Sequence, residues 1–151
     1  MPLNYPNYGA GDVPSYQMSG VPFVTSSVAN EVSTTPIRVV FPSVTRFITI
    51  TNTDGSNGHD LRVGFTSKGV LGQGASISGS LHESQPDHRN YFVIDSGKTS
   101  PRLEVRCKEI YFLRDGSGGT DTSFTLVAGL TPIDSSNFPA LTGSLGYLGI
   151  G

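Results

Sequence analysis

The chain has no tryptophan, one cysteine and three histidines in 151 residues, and only 15% of it is charged. With Cys107 alone, no intramolecular disulfide is possible, which fits folding in a reducing compartment. Ten basic residues against twelve acidic ones leave a net charge of -2. The arginines are scattered singly, at 38, 46, 62, 89, 102, 106 and 114, so the clustered basic surface that nucleic acid demands is missing. No apolar run approaches the roughly 18 residues of a membrane-spanning helix. No basic stretch followed by an apolar one opens the chain, and glycosylation sequons are absent. The expectation is a soluble protein made in the cytosol, with no membrane span and no direct contact with nucleic acid.

Nineteen glycines and ten prolines make long helices improbable and punctuate a series of short alternating segments. Strands are expected at 23–29 (FVTSSVA), 36–41 (PIRVVF), 45–53 (TRFITITNT), 61–65, 90–95 (NYFVID), 102–107, 109–114 (EIYFLR) and 123–131 (SFTLVAGLT). In the third of these, Ile48 and Ile50 share one face while Phe47, Thr49 and Thr51 share the other. Residues 54–58 (DGSNG) and 115–121 (DGSGGTD) carry turn chemistry, since Gly and Asn tolerate positive φ. Residues 68–89 form a loop excursion too long for a hairpin, with room for a short strand at 75–81.

About eight strands with one long crossover fit an all-β fold: a single antiparallel jelly-roll β-sandwich. An immunoglobulin-like sandwich is the runner-up, without its Cys…Trp…Cys signature. The division is an extended N-terminal arm (1–22), the sandwich (23–131) and a Gly/Leu-rich C-terminal arm (132–151). Neither arm can bury enough apolar surface to fold alone. Tyr5, Tyr8, Tyr16 and Phe23 in or beside the first are therefore candidate interface anchors. So are Phe138, Leu141, Leu145, Tyr147, Leu148 and Ile150 in the second. A wholly disordered arm is the alternative to interface anchoring. A stacking platform for single-stranded nucleic acid is disfavoured, because no basic residue precedes Arg38.

Motifs for chemistry are weak. A jelly roll of the cupin kind would carry an H-x-H pair, and this chain has none. His82, Glu83, Asp87 and His88 lie close together in the long loop, and imidazole with carboxylate suits several divalent ions. Solvated loop polars are the ordinary reading of such a set. Gly69-Val70-Leu71-Gly72-Gln73-Gly74 lacks the Lys-Ser/Thr pair of a phosphate loop, and no G-x-S-x-G elbow occurs. The glycine-rich 115–121 run lacks the carboxylates of a calcium loop. Cys107 shares a strand face with Leu103 and Val105, so a buried inert thiol is expected. No catalytic constellation is found, and neither catalysis nor a cofactor is expected.

The run NYPNYGAGDVPSYQMSGVPFVTSS (4–27) with IRVVFPSVTRFITITNT (37–53) resembles small capsid proteins of large icosahedral double-stranded DNA viruses, especially those of algae. RVGFTSKGV and EIYFLRDG extend the likeness downstream. In that group single jelly-roll proteins form pentameric vertex capsomers, and other small proteins line or cement the shell. The resemblance implies a virion structural protein assembled in host cytoplasm. Its partners would be itself, as a homopentameric penton, together with the major capsid protein and other minor capsid proteins. It carries over no catalytic residue. A minor capsid, cement or decoration protein is the alternative implied, and a cupin-like ligand- or metal-binding jelly roll stays open beside it.

Overall fold

The computed structural model describes residues 10–11, 13–17, 19–28, 31–55, 58–72, 90–116, 121–139 and 141. Alternation decides the architecture. In β3 (Ser43–Asn52) Ile48, Ile50 and Asn52 are buried, while the residues between them are half-exposed. β3 pairs antiparallel with β7 (Phe124–Asp134), whose other side pairs with β1 (Val21–Ser26). The second sheet is also antiparallel, in the order β2 (Ile37–Val40), β6 (Glu109–Arg114), β4 (Leu61–Gly64), β5 (Tyr91–Ile94). Both sheets turn their apolar residues inward onto one core. Ile48, Ile50, Leu126 and Ala128 come from the first sheet, and Leu61, Val63, Ile110 and Phe112 from the second. Phe112 and Phe124 stack between them with centroids 3.9 Å apart.

Seven strands carry ladder pairing among the described residues, one fewer than the roughly eight expected. The expected strand at 102–107 alternates as anticipated, with Cys107 buried and Arg102, Glu104 and Arg106 exposed. It runs along the free edge of β3 without a regular ladder. Leu103 and Ile48 exchange backbone bonds of 2.8 and 2.9 Å, Ser100 N–H donates to Ile50, and Asn52 N–H donates to Lys98. Elsewhere side chains intervene: Ser100 Oγ accepts from Ile50 N–H, and Thr45 Oγ1 accepts from Cys107 N–H. Pro101 has no N–H to give, and β3 itself shifts register around Thr45, so regular pairing cannot persist.

Other boundaries also depart from expectation, β1 running Val21–Ser26 where 23–29 was expected. β7 continues through Pro132 to Asp134, where the sequence reading ended at 131. Proline is tolerated there because the register shift between Ser43 and Thr45 places it within a bulge of β7. Thr131 Oγ1 donates to Val44 O at 2.7 Å and accepts from Ile133 N–H, holding the irregular stretch. The long excursion opens with a helical turn, α2 (Ser67–Leu71). Thr66 caps its start by accepting from Gly69 N–H, and Gly72, at φ 58°, closes it in the left-handed conformation that suits glycine. The strand expected at 75–81 lies outside the described residues. Among the described residues no helix is long and apolar enough to cross a membrane.

Asn52 secures one end of the sandwich from inside. Its side-chain amide donates to His59 O and Ile94 O, while its carbonyl oxygen accepts from Asp54 N–H and Thr122 Oγ1. These bonds join the last residue of β3 to the ends of β4, β5 and β7. Replacing Asn52 with Leu orphans several buried groups at once. The expected loss is about 2–4 kcal/mol, given roughly 1–3 for each unsatisfied group. A fall in the urea midpoint at unchanged slope checks it.

Candidate interaction surface

The outer face of the β1–β7–β3 sheet is the most distinctive surface of the molecule. Register sets its rows. Pro22, Gly129 and Phe47 lie side by side, as do Val24, Val127 and Thr49. A third row runs Ser26, Thr125, Thr51 and, across an isolated bridge, Thr99. Hydroxyls link that row: Ser26 Oγ and Thr125 Oγ1 are 3.1 Å apart, and Thr51 Oγ1 and Thr99 Oγ1 are 2.9 Å apart. Across the three strands only Arg46 and Asp134 are charged, both toward the same end. Val24 is 63% exposed and Val127 40%. The result is an uncharged face of valine, threonine and serine.

One corner of this face is shaped by a glycine. A Cβ on Gly129 would come within 2.3 Å of the Phe47 ring, so only glycine lets that ring lie against β7. The Arg102 guanidinium covers the ring at 4.0 Å from its centroid and pairs with Glu104 at 2.7 Å. Phe47 is thereby kept from water on the strand side and on the arginine side.

Beside it the N-terminal segment folds back on its own sheet. α1 (Val13–Gln17) carries Tyr16, whose hydroxyl donates to Ala10 O at 2.7 Å. The Arg106 guanidinium lies 4.9 Å from the Tyr16 centroid. Tyr16, Arg46, Glu104 and Arg106 line an open cleft of about 270 Å³. Tyr16, expected as an anchor for a neighbour, is thus engaged within its own chain. Phe23 is partly buried against the core and meets Phe41 edge-on at 5.2 Å. Leu141 is 6% exposed inside the core cluster, and Phe138 packs against it. Each of these four makes contacts within its own chain. Tyr5, Tyr8, Leu145, Tyr147, Leu148 and Ile150 lie outside the described residues, as do His82, Glu83, Asp87 and His88.

Among the described residues four groups are displaced from their ordinary pKa values. Arg38 donates to Glu109 Oε2 at 2.7 Å, and that bond raises its pKa further above the ordinary value. Burial, and then the charge of Glu109, raises Tyr111. Hydrogen bonds from Ser136 lower Asp134. Burial pushes the Cys107 thiol up to about 11. All four move away from neutrality, opposite to what general acid–base work or thiolate attack requires. Among the described residues no group of three or more His, Cys, Asp or Glu is placed to hold a metal ion.

Sequence reasoning placed Phe47, Thr49 and Thr51 on one face but sought interfaces in the arms. The signal for the valine and threonine face was present in the uncharged outward positions of 22–26 and 125–129. It gained meaning only when register set those segments side by side. Comparison with protein-family models, curated proteins and solved structures finds no match.

Cys107 supplies a pH test of the packing. The folded state keeps the thiol protonated, so its contribution is whole below the ordinary value of 9.0 and is lost as pH rises to about 11. Over that interval the wild type should lose about 2–3 kcal/mol more than Cys107→Ala. Urea titrations of both proteins at each pH measure the difference.

Proposed function

We propose that the chain is a structural protein of an icosahedral virus shell, a single jelly roll that acts as the vertex subunit. Strand order carries this reading. Taking 98–107 as the sixth of eight strands in chain order, the first pairs with the eighth and the second with the seventh. The third then lies against the sixth, and the fourth pairs with the fifth. That is one long antiparallel ribbon folded over on itself, the plan of a jelly roll. The tip of the ribbon is the connection between β4 and β5, which holds the long excursion.

Three observations support the shell role. The uncharged outer face is a surface to be covered, because charge is depleted where protein cores meet. A lone buried thiol suits assembly in a reducing host cytoplasm. The likeness of the N-terminal third to small capsid proteins of algal viruses points the same way. A ring of five uses two different patches on each subunit. The sheet face and the loops around the sandwich offer such patches, with copies of the chain, the major capsid protein and other minor capsid proteins as the partners.

Absolute mass by light scattering on a sizing column tests the proposal. A discrete species at five times the 16.0 kDa chain mass is expected, with five-fold rings in electron micrographs. A protein that stays monomeric alone and also fails to bind assembled shells contradicts it.

A further inference from the structure

The outer edge of β1 is unpaired among the described residues. Ser27 N–H donates to Phe124 O, and Ser27 Oγ accepts from Phe124 N–H. Counting back by twos, Thr25, Phe23 and Val21 turn their backbone groups toward β7. Pro22, Val24 and Ser26 turn theirs outward. Proline fits this arrangement, since its missing N–H falls on the side where β7 asks for none. Edge strands are commonly guarded by lysine, an inward charge or a bulge. β1 has none of these beyond Pro22, and Val21, Val24 and Val28 are 63%, 63% and 70% exposed.

We infer that β1 pairs antiparallel with β1 of a second copy, about a two-fold axis passing beside Val24. Charge selects the occupant. A two-fold axis brings each residue toward its own counterpart, so any charge near it meets the same sign. Residues 19–28 (SGVPFVTSSV) carry no charge in a chain that is 15% charged overall. The facing outward residues of β7 carry none either. An acidic or basic peptide finds no complement here; a second copy of the same edge does.

The backbone fits as well. With Val24 opposite the second copy's Val24, the two exchange N–H and C=O bonds in both directions. Ser26 N–H then reaches the second copy's Pro22 carbonyl, so proline is asked only to accept. Side chains continue the row: Val127 and Val24 meet the second copy's Val24 and Val127 in one strip. The two sheets become one.

This pairing does not rest on the shell proposal. It is an isologous contact about a two-fold axis, distinct from the heterologous contacts that close a ring.

A single introduced thiol tests it. Paired Val24 positions would place their Cα atoms about 5.5 Å apart, within the span of a disulfide. Cys107 is 1% exposed, so Val24→Cys presents the only accessible sulfur among the described residues. Mild oxidation of the folded protein should give a covalent dimer. Val127→Cys, one strand further in on the same face, should give none, since its mate would sit about 14 Å away at three strand spacings. Val24→Lys should weaken association at least tenfold or so, with the fold unchanged by circular dichroism. Mixing it with Val24→Glu should restore pairing.

A Val24→Cys protein that associates but does not cross-link overturns the two-fold. So does a wild type that stays at 16.0 kDa at every concentration. The two proposals fail separately. A five-fold ring mass without the cross-link removes the β1 pairing and keeps the vertex reading. A cross-linked dimer that neither forms rings nor binds shells does the reverse.

Discussion

The sandwich depends on β7. It is bonded on both sides, to β1 and to β3, and its inward residues Phe124, Leu126, Ala128 and Leu130 form the centre of the core. Phe124 reaches across to stack on Phe112 of the opposite sheet, so one strand also ties the two layers together. Its outward residues must then be small or β-branched for neighbours on both sides to lie flat. Gly129 shows the constraint most sharply, since any larger residue would expel the Phe47 ring. With that ring displaced, Arg102 would lose the surface it covers.

Much of this was legible in the sequence. β6 spans the six residues expected, because a dense apolar run between charged ends and a following turn has few other homes. The inward face of β3 was equally plain. What alternation could not convey was pairing. Residues 102–107 have the right period, yet Pro101 and the shifted register of β3 turn their ladder into a mixture of backbone and hydroxyl bonds. Pro132 looked like a stop and is instead housed in a bulge. α2 carried its caps, Thr66 and Gly72, in view, but five residues are too few to show a helical period.

The candidate surface was harder to read for a related reason. Tyr16 and Arg106 meet through the folding of the N-terminal segment over the sheet, and no spacing rule links residues so distant in the chain. An aromatic in a glycine- and proline-rich segment therefore looks unclaimed when its partner comes from another strand. Leu141, placed by the sequence reading among interface anchors, lies in the core cluster of its own chain, a contact that tail composition does not reveal. Composition alone separates exposed from buried poorly, and only contacts decide.

The distribution of charge joins fold to proposed role. In the second sheet the charged residues are partnered across strands: Arg38 with Glu109 and Arg62 with Asp115, with Arg114 reaching the following loop at Asp121. The first sheet has almost none to partner. A soluble monomer gains nothing from leaving valines half-exposed in a strip free of charge, since a small net charge gives weak protection against association. Such a face is economical when another protein surface covers it, because nothing charged must be stripped of water as contact forms. That face lies on the outside of its sheet, bordered by the edge strand β1, which carries Pro22 but no charge. The free edge of β1 and the exposed valines beside it thus support the proposed pairing of copies along β1 and β7, where contact strips no charge of its water.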